Sequence, residues 1–376
     1  MKKLVLIVVL LTITILIVLG FNKLLVSIIG SSDPTQQLAA YEPDITWLKV
    51  EGTQIKTAKG NDFLLKGVSS HGIQWYSDLL TYDNLKELKE TWDINVFRIA
   101  MYTNENGYIA HKETTKQKLI EIADIVIDLD MYVIIDWHTL TDYDPNIFKE
   151  EAKLFFDEIS TIYKDTPNVI YEICNEPNGN IVTWNDDIKP YADEIIPIIR
   201  KNSPNSLIIV GTPNWCKNLK PVAENPLNYN NILYSCHFYA ATHKQDLRNE
   251  VSNAVEKGLP VIISEWGTTE ASGNGEVDVE ETKKWIDFLK SKNISFINWS
   301  FSNRDENSAI IRTDFPITST TDDTTLQSSN NNNTVNSDSN MDLPEEKISF
   351  NDYLTDSGNL VKSLIKNDWP YYVNVL

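Results

Sequence analysis

Residues 169–177 read Val-Ile-Tyr-Glu-Ile-Cys-Asn-Glu-Pro, an apolar run from Val169 to Cys174 that stops on Asn175, Glu176 and Pro177. Its length and its β-branched content fit a short buried strand. Far downstream Leu259 to Ser264 repeats the pattern and stops on Glu265, Trp266 and Gly267. Each run is a strand that ends on a carboxylate. Placed at the same end of one parallel sheet, the two carboxylates would face each other across a cleft.

Working outward from these two runs, the chain alternates. Strand-like segments occur at Leu64–Val68, Asn95–Ala100, Tyr132–Asp136, Val169–Cys174, Leu207–Val210, Ile232–Phe238, Val261–Ser264 and Phe296–Trp299. Helical patterns lie between them, at Leu85–Glu90, Thr115–Leu129, Glu151–Tyr163, Tyr191–Arg200, Lys244–Lys257 and Glu280–Lys290. Leu119, Ile122, Ile125 and Val126 share one helical face. Strands alternating with helices in this number predict an α/β fold of the (β/α)8, or TIM barrel, type. A doubly wound sheet is the fallback, but it offers no reason for polar residues at eight strand ends. Leu48 to Phe63 reads as a hairpin capping the bottom of the barrel.

The flanks differ in character. Lys2 and Lys3 precede an uncharged apolar run, Leu4 to Leu19, with further apolar residues from Leu24 to Ile29. Residues 1–29 therefore fit either a cleaved signal peptide or an uncleaved signal-anchor. Both put the remainder outside the cytoplasm, since the lysines hold the N-terminal end inside. Residues 30–44 read as a tether and 45–376 as one catalytic domain. Within it, 318–347 is rich in Ser, Thr, Asn and Asp and reads as a disordered insertion in the last βα loop. The apolar face of Ser357–Ile365 predicts a closing helix.

Composition excludes some partners. The chain has 376 residues, a net charge of −20, ten Trp and 42% hydrophobic residues. Nucleic acid is a poor partner for so acidic a chain. The three cysteines, Cys174, Cys216 and Cys236, match no zinc spacing and read as buried free thiols. No metal or other cofactor is expected, and the chain is expected to act as a monomer.

In a barrel of this kind the site lies at the C-terminal strand ends. These ends carry His71 and Trp75, then Arg98 and Tyr102, His138, Asn175 and Glu176, Trp215, His237 and Tyr239, Glu265, and Trp299. A lone strand-end His is more often structural than functional, and a Trp is more often core. Arg98 sits in an apolar run and needs a carboxylate partner, for which Glu265 or Glu176 is expected. A metal reading of His71, His138 and His237 lacks a ligand spacing. A serine-nucleophile reading lacks its elbow motif. Two carboxylates flanked by flat aromatic rings suit cleavage of a glycosidic bond.

The motifs LKGVSSHGIQWY (65–76), VFRIAMYT (96–103), YVIIDWH (132–138), VIYEICNEPNG (169–179), IIVGTPNW (208–215), HFYAATHKQDLR (237–248), ISEWGTTEASGNG (263–275) and INWSFS (297–302) occur in order. Together they closely resemble the bacterial endo-β-1,4-glucanases, or cellulases, of glycoside hydrolase family 5. The resemblance implies a retaining double displacement on a β-glucan. It implies Glu176 as general acid/base and Glu265 as nucleophile. Asn175 would hold the sugar 2-hydroxyl, Arg98 and Tyr239 would support the nucleophile, and His138 and His237 would complete the site. His71, Tyr102, Trp75 and Trp299 match substrate-binding positions, and Trp215 an aromatic on the leaving-group side. Arg304 stands where these enzymes commonly have Lys, and the two are not interchangeable. A β-mannanase, xylanase or mixed-linkage glucanase of the same family, and a non-catalytic carbohydrate-binding surface protein, are the alternatives.

Overall fold

The computed structural model describes residues 45–317 and 348–366, with a short strand at Tyr372–Val373. The expectations for residues 1–44 and 318–347 lie outside these residues. Among the described residues no helix is long and apolar enough to cross a membrane.

Three short strands come first: β1 (Lys49–Glu51), β2 (Gln54–Lys56) and β3 (Asp62–Phe63). Eight parallel strands then close into a barrel: β4 (Lys66–Ser70), β5 (Val96–Tyr102), β6 (Tyr132–His138), β7 (Val169–Glu172), β8 (Ile208–Val210), β9 (Ile232–Tyr239), β10 (Val261–Gly267) and β11 (Phe296–Phe301). Each barrel strand is followed by a helix: α1 (Tyr82–Trp92), α2 (Lys112–Asp128), α3 (Lys149–Ile162), α4 (Lys189–Asn202), α5 (Lys220–Glu224), α6 (Gln245–Glu256), α7 (Val279–Lys292) and α8 (Asp356–Lys366). The (β/α)8 reading holds. Its boundaries move by one to three residues; the first barrel strand starts at Lys66, not Leu64, and most others run further toward the site.

Local chemistry sets the helix ends. The Thr81 hydroxyl accepts from the Asn84 N–H at the start of α1, and Asp278 accepts from the Glu281 N–H at the start of α7. Both satisfy donors that a first turn leaves free. Asp93 and Asn293 end the same helices in the left-handed conformation.

Alternation along the strands sorts their residues onto two faces. Phe97, Ile99 and Met101 of β5, Val133, Ile135 and Trp137 of β6, and Tyr234, Cys236 and Phe238 of β9 join the apolar layer under the helices. The intervening residues belong to the barrel interior, and that interior changes character with height. Val96, Ile134, Ile170 and Leu233 form an apolar plug. Leu48, Ile55 and Phe63, from the segment that holds β1, β2 and β3, pack into it from below. Two residues higher stand Arg98, Asp136, Glu172 and Ser235, all fully buried. The barrel is oil at the bottom and charge at the top.

One strand breaks the alternation. By strict period two, Ser264 of β10 would face inward and Glu265 outward. The pairing register of β10 slips between Ile262 and Glu265 against β9, and between Ile263 and Trp266 against β11. Such an irregularity re-aims a side chain. It lets Ser264 and Glu265 both meet interior partners.

Candidate active site

The upper barrel opens into a cleft of about 410 Å³ lined by Glu176, Glu265, His71, Tyr102, His138, His237, Tyr239, Trp215, Trp299 and Arg304. Leu140, Lys217, His243, Gly273 and Glu306 are among the lining residues that sequence reasoning missed. One ligand atom from each of Glu176, His237 and Glu265 lies within 4.8 Å of the other two. The two carboxylates of the opening motifs do converge.

Arg98 lies in the floor of this site, fully buried. Its Nε donates to Glu172 Oε2 (2.7 Å), and its Nη2 reaches Asp136 Oδ2 (3.0 Å) and Asn175 Oδ1 (2.6 Å). Its Nη1 reaches Glu265 Oε2 and Ser69 Oγ, each at 3.3 Å. Of the two expected partners, Glu265 pairs with Arg98 and Glu176 does not, and the two shortest ion pairs are to Glu172 and Asp136, which were not expected. A lone arginine with one carboxylate would still be under-satisfied, because a guanidinium carries five donors. Asp136 and Glu172 each interrupt an apolar strand run as Arg98 does, but the sequence does not say that the three meet.

Asn175 is enclosed beside the arginine. Its Nδ2 donates to the Thr139 carbonyl (3.2 Å) and lies 3.2 Å from His138 Nε2, while His138 Nδ1 pairs with Asp136 Oδ2 at 2.6 Å. Asn175 and Arg98 thus support the cleft and are not among its lining residues. His237 Nδ1 lies 2.8 Å from Glu176 Oε1, and its Nε2 lies 3.0 Å from Ser264 Oγ. Tyr239 donates its hydroxyl to Glu265 Oε1 at 2.8 Å.

Burial dominates the electrostatics. It pushes Glu176 up to about 7, with Glu172 adding to the rise and Arg98 and Lys217 opposing it. It pushes Glu265 up to about 7 as well; His237, Arg98 and the Tyr239 hydroxyl oppose the rise and the Glu176 charge adds to it. Two carboxyls this close do not both ionise readily, so one proton is shared between them near neutrality. The hydroxyl and the arginine on Glu265 favour its ionised form, while Glu176 faces an imidazole. Burial also lowers His237 to about 4 and His138 well below its usual range, so both rings are neutral.

The aromatic residues form a band along one wall. Trp299 is 6% exposed and His71 and His138 pack against it, with the Tyr102 ring stacked on His138 at 4.1 Å. Trp75, 43% exposed, stands at the end of this band against Tyr102 and His71, outside the main cleft lining. Trp215, 40% exposed, stands on a left-handed turn with Asn214 and Cys216. Its backbone N–H donates to the Pro177 carbonyl, and the Cys216 thiol donates to the Asn175 carbonyl at 3.0 Å. Arg304 bridges His71 Nε2 (2.9 Å) and Glu306 Oε2 (2.9 Å). All three cysteines are buried and free.

The family described as Cellulase (glycosyl hydrolase family 5) matches residues 57–305. An Endoglucanase of Clostridium saccharobutylicum is 51% identical over 266 residues, 71% of this chain and 59% of that protein. Endoglucanase A of Evansella cellulosilytica is 52% identical over 252 residues, 67% of this chain and 51% of that protein. The chain thus spans between about half and three-fifths of these two curated relatives. Among solved structures, Cellulase Cel5C_n superposes with a TM-score of 0.75 at 35% identity, covering 89% of this chain and 96% of that one. The catalytic domain of Thermobifida fusca endoglucanase Cel5A (E5) gives 0.73 at 32% identity, covering 85% and 97%.

Proposed function

This chain belongs to glycosyl hydrolase family 5, the cellulase family, and from that premise we propose that it hydrolyses internal β-1,4-glucosidic bonds of cellulose and soluble β-glucans with retention at the anomeric carbon. The observation that carries the reading is that one carboxylate oxygen of Glu176 and one of Glu265 lie within 4.8 Å of each other, too close to leave room for the attacking water of an inverting enzyme. Retaining glycosidases hold their carboxyls about 5–5.5 Å apart, whereas inverting ones leave about 6.5–9.5 Å for a water.

Glu265 is the nucleophile. Tyr239 and Arg98 hold its two oxygens and favour its anion. Glu176 is the general acid, kept protonated by burial. In the first displacement Glu265 attacks the anomeric carbon as Glu176 gives its proton to the leaving oxygen. The ester then removes the Glu265 charge, which makes Glu176 easier to ionise; Glu176 takes a proton from a water whose oxygen attacks the anomeric carbon, and the bond to Glu265 breaks to return its carboxylate. His71, Tyr102, Trp75, Trp299 and Arg304 bind the glycone side, with Asn175 and His138 ordering its floor, and Trp215 supports the leaving side. A glutamate-to-glutamine variant of the Thermobifida fusca catalytic domain was solved in complex with cellotetraose, which supports a cello-oligosaccharide occupant here.

The activity acts outside the cytoplasm, released or anchored through residues 1–29, with 30–44 as tether, 318–347 as an insertion and the barrel working as a monomer. No metal takes part in the proposed chemistry, although Glu176, His237 and Glu265 come close enough together to hold a cation. Full activity in a strong chelator is expected, and its loss would favour metal-dependent hydrolysis.

The test is the anomer of the fresh product. Proton NMR during hydrolysis of cellopentaose should show the β-anomer first, and an initial α-anomer would overturn the double displacement. Glu265→Gln should abolish turnover while leaving cellotetraose binding measurable; an active variant would refute the nucleophile.

A further inference from the structure

Three groups outside the reacting pair form a chain of hydrogen bonds that ends on Glu176. Glu172, fully buried, places Oε2 on Arg98 and turns Oε1 toward Ser264, whose hydroxyl donates to it at 2.6 Å. The Ser264 hydroxyl oxygen is then free to accept. His237 Nε2 stands 3.0 Å away, and Ser235 Oγ is also in contact. His237 Nδ1 stands 2.8 Å from Glu176 Oε1. Neither Ser264 nor Glu172 lines the cleft.

The polarity of this chain is set from its far end. Glu172 is paired with Arg98, so it accepts. Ser264 has one proton and gives it to Glu172, so toward His237 it accepts. A neutral imidazole carries one N–H, and which nitrogen holds it is decided by the partner of the other. His237 therefore carries its proton on Nε2, and Nδ1 presents a lone pair to Glu176. A lone pair facing a carboxyl favours the protonated acid, O–H to Nδ1, and repels the carboxylate.

We propose that Ser264 is a positioning residue for the acid step: it locks His237 in the Nε2–H tautomer, and that tautomer holds the proton on Glu176. The proposal deepens the retaining-glycosidase reading and rests on it for its kinetic consequence. Without the serine hydroxyl, His237 is free to carry its proton on Nδ1, where it would donate to the Glu176 carboxylate and favour ionisation. The register slip in β10 gains a purpose from this. It brings Ser264 to the relay and the adjacent Glu265 to the cleft from one strand.

The other charged or titratable groups that face Glu176 are Arg98 and Tyr102 from β5, Asp136 from β6, Glu172 from β7, Cys216 and Lys217 after β8, Tyr239 from β9 and Glu265 from β10. Ser264→Ala changes the charge of none of them. The alkaline limb of kcat/KM reports the essential acid of the free enzyme. In Ser264→Ala it should move about one pH unit lower, so the deficit against the parent widens from acid to alkaline pH, to about tenfold. Ser264→Thr, which keeps the hydroxyl, should restore the parent limb. An unmoved or raised limb, or a deficit equal at every pH, would overturn the proposal. Imidazole 15N shifts give a readout independent of activity. In the parent at pH 6, His237 should be protonated at Nε2 and bare at Nδ1, and the reverse would overturn the proposal. A parent with no β-glucanase activity would sink the functional reading and leave the 15N result to judge the tautomer.

Discussion

Replacing Arg98 by Met removes a side chain on which three acids converge. Arg98 is fully buried and pairs with Glu172 at 2.7 Å, Asp136 at 3.0 Å and Glu265 at 3.3 Å. Asp136 and Glu172 have no contact with solvent, so the methionine leaves two carboxyls without their cation. Removing one partner of a buried ion pair costs about 3–5 kcal/mol. At about 2–4 °C per kcal/mol for a domain of this size, the melting temperature should fall by roughly 6–20 °C. The loss should depend on pH with a definite sign. Asp136 already titrates near 7, raised by burial against the pull of Arg98. Loss of the cation raises it further. A carboxyl whose folded pKa exceeds its unfolded value binds more protons in the folded state, so stability falls as pH rises through that folded pKa. Differential scanning calorimetry should therefore show a larger decrement at pH 8 than at pH 5. Activity should fail first on the acid side, because Glu265 loses a cation that favours its anion. A melting temperature within about 2 °C of the parent, or a larger decrement at pH 5 than at pH 8, would refute the reasoning.

Tyr239→Phe removes the hydroxyl that donates to Glu265 Oε1. Hydrogen bonds to charged groups contribute about 1.5–3 kcal/mol, or roughly one to two pKa units. The acid limb of kcat/KM should move up by that amount while the alkaline limb stays, and an unmoved acid limb would show that the hydroxyl does not serve the anion. Cys174, Cys216 and Cys236 are buried and free, and burial pushes each thiol up. A thiol-specific disulfide reagent should leave the native protein unmodified and titrate three thiols per chain in denaturant; a single titratable thiol would reveal a disulfide.

The barrel was legible because its signal is repeated. Eight apolar runs of similar length, spaced by helices, leave few topologies open, and each polar strand end marked one rim position. The convergence of Glu176 and Glu265 was legible for the same reason. The buried acids behind them were not. Glu172 lies four residues before Glu176 inside a run that reads as strand core, and Asp136 precedes Trp137 in another. Propensity treats a charge in such a run as an exception, whereas Arg98, Asp136 and Glu172 explain one another only once β5, β6 and β7 lie side by side. The inward turn of Glu265 was equally hidden, since strict alternation from Ile263 would have sent it outward. A register slip is a property of pairing between strands, and no single strand encodes it.

The number of acids around one arginine bears on the order of the chemical steps. In the resting site Arg98 faces Glu172, Asp136 and Glu265, and its charge is divided among them. Under the proposed mechanism the glycosyl ester removes one of those anions. The cation is then less neutralised at the moment when Glu176 must become a base, and Arg98 already opposes the rise in Glu176. The same step removes the Glu265 charge. Both changes lower the Glu176 pKa in the intermediate relative to the resting state, without movement of any protein group. The two fixed acids make this work. If Glu265 were the only partner of Arg98, esterification would leave a bare buried guanidinium, a costly state. With Glu172 and Asp136 in place the arginine stays paired through the cycle, and only the balance of its field changes.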